Sequence, residues 1–149
     1  MSIEDDVILL DRVPTFHVLG NAAIRVLAIG SEQQEFARGS VLFRAGEPAD
    51  CGYVVQRGSF RVSFADGTQP DITAGAGSLI GELALIVPMQ RPATAIALEF
   101  ASAIRITRTL FQRVLESEPD GARRLRDAFA SRTSQAASDL VLVGARLIG

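Results

Sequence analysis

The chain has 149 residues, 48% hydrophobic and 21% charged, a composition able to bury a core and fold as one ordinary domain with an appended helix. Its 15 basic residues against 17 acidic ones give a net charge of −2, which argues against a generally basic nucleic-acid binder. All 15 are arginine, so a P-loop lysine, a pyridoxal Schiff base and a lysine nucleophile are excluded. One cysteine, Cys51, and one histidine, His17, exclude a disulfide framework, a cysteine-based zinc or iron–sulfur site and a multi-histidine metal centre. In chain order, the acidic start Met1-Ser2-Ile3-Glu4-Asp5-Asp6 lacks the positive region of a signal peptide, and no apolar run reaches membrane-spanning length. A soluble, cytoplasmic protein is expected. Asp5 to Leu10 reads as a short helical turn that stops before Pro14. Asn21 can cap a second helix with Ile24, Leu27 and Ala28 on one face, which Gly30 ends.

The period then changes from 3.6 to 2. Val41-Leu42-Phe43, Tyr53-Val54-Val55 and Phe60 to Phe64 are strand-like, with Phe60, Val62 and Phe64 pointing one way and Arg61 and Ser63 the other. Arg38-Gly39-Ser40, Gly46-Glu47-Pro48, Arg57-Gly58-Ser59 and Asp66-Gly67 are turns between them. Thr94 to Phe100 and Ala103 to Ile106 resume the alternation. Many short strands predict a sandwich or barrel.

Thr109 and Gln112 can form a capping box for a helix through Leu115 that Pro119 breaks. From 120 to 149 a long helix is predicted, with Ala122, Leu125, Phe129, Ala136, Leu140, Val143 and Leu147 in one apolar stripe. Leu125, Ala136 and Leu147 are eleven residues apart, a period that gives a straight or slightly right-handed seam. The stripe can pack on its own domain, but some 27 residues span about 40 Å. That length favours a partner helix, and hence a homodimer of moderate strength. Were the helix free of a partner, Thr133, Ser134 and Ser138 could offer hydroxyls to a ligand as a lid. Arg123, Arg124 and Arg126 form either a solvated helix face or a patch for an acidic partner.

The segment from Gly77 to Ala95 carries the chemistry. Gly81-Glu82 follows a glycine-rich approach, Leu83 to Ile86 form an apolar turn, and Arg91 precedes Ala93-Thr94-Ala95. Glu82 and Arg91 are the only charges between Asp71 and Glu99, so each is read as partly buried and in need of a partner. Gly81 permits close backbone approach, and the following amides can face an anion. Arg91 can fork onto a phosphate, and Glu82 can accept from a sugar hydroxyl. A small phosphorylated sugar compound fits this set. A mutual Glu82–Arg91 ion pair fits it as well. Gly75-Ala76-Gly77 followed by Gly81 lacks dinucleotide spacing and a long helix. His17 and Cys51 read as structural residues. No nucleophile–base pair or metal set is visible, so an enzyme is not expected.

Gly81-Glu82-Leu83-Ala84-Leu85-Ile86 and Arg91-Pro92-Ala93-Thr94-Ala95, at this separation, resemble the phosphate-binding cassette of the cyclic nucleotide-binding domain family, as in protein kinase A regulatory subunits and catabolite activator proteins. Val13-Pro14-Thr15-Phe16 with Ile24 to Leu27, Phe36 to Asp50, and Tyr53 to Gly58 with Phe60 to Val62 are similar to its helical lead-in, early strands and central hairpin. The resemblance spans Val13 to Pro119. It implies a mainly β fold: an eight-stranded antiparallel, jelly-roll-like β-roll with N-terminal helices and a long C-terminal helix. Residues 1–119 would form the roll with its flanking helices, and 120–149 the helix for dimerisation or lid closure. It also implies that Arg91 binds the cyclic phosphate and Glu82 the ribose 2′-hydroxyl. The backbone at Gly81, Leu83 and Ala84 would line both, with Pro92, Ala93 and Thr94 adjoining.

The expected function is a regulatory sensor for cAMP, with cGMP as the alternative ligand, signalling through movement of the C-terminal helix. A degenerate roll that binds no nucleotide and serves as a dimerisation module is the other reading. Three residues depart from the family pattern. Ile80 stands where an aromatic is common and Gln90 where proline is common. Pro92 removes an N–H that relatives give the phosphate and lacks the hydroxyl that guanine-selective members use. Losing that bond would weaken binding by on the order of 1–3 kcal/mol. No helix-turn-helix follows in this chain, so a stand-alone sensor or a piece of a longer regulator is expected.

Overall fold

Capping chemistry sets the first helices. The structure, a computed structural model, describes residues 2–67 and 69–138, with side chains as far as residue 132 apart from position 68. Ser2 opens α1 (Ile3–Asp11) with a capping box: its hydroxyl accepts from the Asp5 amide at 3.2 Å, and the Asp5 carboxylate accepts from the Ser2 amide. Pro14 stands at the first position of α2 (Pro14–His17), where a missing N–H costs nothing. Gly20 caps α3 (Asn21–Gly30) in place of the expected Asn21, because the chain enters that helix at a φ of 95°. Ala23, Ile24, Leu27 and Ala28 form its buried face.

The strands are β1 (Glu32–Phe36), β2 (Val41–Phe43), β3 (Pro48–Ala49), β4 (Cys51–Arg57), β5 (Phe60–Phe64), β6 (Ile72–Ala74), β7 (Leu79–Ile80), β8 (Met89–Gln90), β9 (Ala93–Ala97) and β10 (Ala101–Thr107). They pair antiparallel in two four-stranded sheets, ordered β1-β10-β4-β7 and β2-β9-β5-β6. Those eight strands form the roll. The described residues hold ten because β3 and β8 add a two-residue pair, Pro48 opposite Gln90 and Ala49 opposite Met89.

Period-2 alternation divides the core. Cys51, Tyr53, Val55, Ala101 and Ala103 face the interior of the roll with Phe43, Phe60 and Val62. Val54, Ile104 and Ile106 face the helices and meet Leu10, Phe16, Leu27 and Phe111.

The helix after β10 is capped two residues before the expected Thr109. Thr107 ends its strand and caps α4 (Arg108–Ser117), accepting from the Leu110 amide at 3.1 Å. Pro119 then opens α5 (Pro119–Ser138) as well as ending α4. Leu125, first of the apolar stripe's larger members, is buried in this chain's own helix-side core, and Phe129 packs partly against it. Leu140, Val143 and Leu147 lie outside the described residues, and so do the side chains of Thr133, Ser134, Ala136 and Ser138. Gly121 lets α5 approach closely, since a Cβ there would come within 2.5 Å of the Leu19 carbonyl oxygen. Arg124 forks onto the same place, its Nε donating to Val18 O at 2.7 Å and Nη2 to Leu19 O at 3.1 Å. The arginine cluster is therefore divided: Arg124 is a structural tie, Arg123 pairs on the surface with Asp120 at 2.8 Å, and Arg126 is exposed.

Candidate functional site

β7 ends at Gly81, whose φ of 85° and ψ of 36° turn the chain into a one-turn 3₁₀ helix, Glu82–Leu85. This left-handed geometry favours glycine. A Cβ at 81 would also come within 2.5 Å of Arg91 Nη1. The Ala84 amide donates to Gly81 O at 3.1 Å, and the Ile86 and Val87 amides both donate to Leu83 O at 3.0 Å, which closes the turn. Leu83 is half-buried and Ala84 fully buried. At the other end of this turn Arg108 is a clamp. Its Nη1 donates to Ala84 O and Ala49 O at 3.0 Å and to Val87 O at 3.1 Å, joining α4 to the cassette and to β3.

Arg91 enters from between β8 and β9. Its backbone is fixed on both sides: its amide donates to Glu47 O and its carbonyl accepts from Gly46, each at 2.8 Å. The side chain turns into the roll and is 4% exposed. Nη2 donates to Cys51 O at 2.8 Å and to Cys51 Sγ at 3.3 Å. The guanidinium lies 4.2 Å from the Phe43 ring centroid and 5.9 Å from that of Tyr53. Burial, and next the Cys51 sulfur, push the Tyr53 phenol up to about 12, so Tyr53 offers a π face and no neutralising charge. Nη1 is buried and has no hydrogen-bond partner among the described residues. No carboxylate there pairs with Arg91.

Glu82 is 9% exposed. Its Oε2 accepts from the Thr15 hydroxyl, and its Oε1 from Arg132 Nη1 at 3.1 Å. Glu82 and Arg91 thus do not satisfy each other, and the mutual ion pair is set aside. Glu82, Thr15 and Arg132 line a cleft of about 380 Å³ together with Val13, Pro14, Gly77, Ser78 and Leu79. Arg91 is not among those walls; its Nη1 lies beside Gly81, the residue before Glu82. Ala93 is buried and Pro92 exposed, the latter's carbonyl accepting from the Ala65 amide at 3.1 Å. The Thr94 hydroxyl accepts from the Ala45 amide at 2.9 Å and so holds the loop before β3. His17 meets Asp11 at 3.1 Å on the surface, away from this cluster.

Sequence spacing missed Thr15, Cys51, Phe43, Tyr53, Arg108 and Arg132. For the first two the only available signal was negative: two isolated charges each needing a partner.

A family model described as the cyclic nucleotide-binding domain matches residues 33–118. A cyclic nucleotide-gated potassium channel of Mesorhizobium japonicum is 32% identical over 130 residues; these cover 87% of this chain, which spans 36% of that protein's length. The N-terminal domain of a Streptomyces coelicolor transcriptional regulator superposes with a TM-score of 0.79 at 30% identity, covering 89% of this chain and 94% of that one. A cyclic nucleotide-binding-like protein of Brucella abortus gives 0.66 at 35% identity, covering 75% and 98%. With the roll, the cassette turn and the family match in agreement, this chain belongs to the cyclic nucleotide-binding domain family.

Proposed function

We propose that this domain binds a cyclic nucleotide, cAMP in preference to cGMP, and transmits binding through α5. The carrying observation is the Arg91 guanidinium: permanently charged, buried, with Nη1 bare beside Gly81 and no counter-ion among the described residues. A buried charge without a counter-ion is costly, so an anion that reaches Nη1 gains a charge-assisted bond to a group already desolvated. The cyclic phosphate is that anion in this reading, and Glu82 takes the ribose 2′-hydroxyl. Pro92 supplies neither an N–H to the phosphate nor a hydroxyl to the guanine 2-amino group, which weakens binding and favours adenine. The chain's work is binding and not catalysis, and a cytoplasmic setting goes with it. Because Leu125 is buried at home, a homodimer would use the later part of the stripe, around Leu140, Val143 and Leu147.

Calorimetry with cAMP, cGMP and 2′-deoxy-cAMP tests this. cAMP is expected to bind tightest, and Arg91→Ala to lose on the order of 3 kcal/mol, as for truncating one side of a buried charge pair. Full cAMP affinity in Arg91→Ala would remove the arginine from the site. Absence of binding by any of the three nucleotides would favour the ligand-free interaction module.

A further inference from the structure

Glu82 is the carboxylate that a ribose hydroxyl needs, and in this structure both its oxygens are engaged. Thr15 takes Oε2 and Arg132 takes Oε1. Arg132 comes from α5, 50 residues along the chain, and forms one wall of the cleft that Glu82 lines. Its guanidinium is held, not waving: it lies 4.2 Å from the centroid of the Phe129 ring. Phe129 packs on the helix-side core, Leu125 one turn earlier is buried, and Arg124 and Gly121 tie the start of the helix to Val18 and Leu19. The side chains of Arg132 and Glu82 are 31% and 11% exposed, so the pair is more shielded than an ordinary surface ion pair. Each carboxylate oxygen can accept a second hydrogen bond, but one that already accepts from a guanidinium is a weaker acceptor for a neutral hydroxyl.

Resting on the cyclic nucleotide reading above, we infer that Arg132 is an internal competitor for Glu82. It latches α5 over the cleft, and the ribose 2′-hydroxyl competes with it for Oε1. The sign is opposite to that of a ligand contact: removing Arg132 strengthens binding. It also ties the signal to the sugar. A nucleotide that engages Glu82 releases α5, whereas one lacking the 2′-hydroxyl can occupy the phosphate subsite with the latch still closed.

Two measurements on the full chain test this. In Arg132→Ala, cAMP should bind about threefold to tenfold tighter than in wild type, the range set by a half-shielded ion pair. 2′-Deoxy-cAMP should change little, so the gap between the two ligands widens. Hydrogen exchange without ligand supplies the independent arm: α5 amides after Leu125 should exchange faster in both Arg132→Ala and Glu82→Gln. Weaker or unchanged cAMP binding in Arg132→Ala overturns the competitor, and unchanged exchange overturns the latch, while the nucleotide reading stands in either case. Faster exchange with no cAMP or cGMP binding in any variant overturns the nucleotide reading, and competition for the sugar with it.

Discussion

Replacing Arg91 by methionine removes a buried charge while keeping an apolar stem against Phe43. The change deletes the bonds to Cys51 but also a guanidinium whose Nη1 is unsatisfied. Breaking a true buried ion pair costs about 3–5 kcal/mol. Here the two effects oppose each other, and Arg91→Met should stay within about 1 kcal/mol of wild type in denaturant titrations while losing cAMP binding. Gly81→Ala differs, because a side chain there is strained at positive φ and meets Arg91 Nη1. It should lower stability by about 1–2 kcal/mol and binding with it. Pro92→Ala restores an amide next to Arg91 at an exposed position. Calorimetry should give a gain in cAMP affinity of up to about tenfold, and an unchanged value would mean that the loop already has another donor.

Among elements, the junction of α4 with the cassette rests on Arg108. Arg108→Leu leaves three carbonyls, those of Ala49, Ala84 and Val87, without that donor. Chemical denaturation should read a loss of about 1–3 kcal/mol, and a change of a few tenths would show water replacing the clamp. This clamp also marks where reading the sequence stops. The alternation of Phe60, Val62 and Phe64 specified a strand and its inward face, and the motifs Gly81 to Ile86 and Arg91 to Ala95 carried the resemblance to the cassette, because both are local. The partners are not local: Thr15 and Arg132 stand 67 and 50 residues from Glu82, and Cys51 stands 40 from Arg91. Only the roll's closure brings them together. The start of α4 differs from the local expectation for a related reason. Thr109 with Gln112 satisfies a local capping rule, but β10 continues through Thr107, and pairing of that strand with Cys51 delivers Thr107 to the helix start.

At the scale of the whole molecule, ligand binding and stability are linked. At a hundred times Kd, a nucleotide that binds only the folded state adds about 2.7 kcal/mol, which for a chain of this size raises Tm by about 5–10 °C. Differential scanning with saturating cAMP should record that rise in wild type and none in Arg91→Met. Assembly is a separate matter, because the stripe's first large residue is spent at home. Leu140→Glu should shift a concentration-dependent dimer to monomer in sedimentation without changing Tm of the roll, and a monomeric wild type at hundreds of micromolar would refute the dimer.

The contact of Gly121 with the Leu19 carbonyl, held by the Arg124 fork, acts mechanically as a fulcrum. From there to Arg132 the helix axis runs about 16 Å, and to residue 138 about 25 Å. Moving Arg132 by about 3 Å, enough to part it from Glu82, is a tilt of about 10°, which sweeps the far end through about 5 Å at 1.5 Å per residue. Displacement of one guanidinium thus becomes, by leverage alone, a movement on the scale of a helical turn at whatever the far end touches.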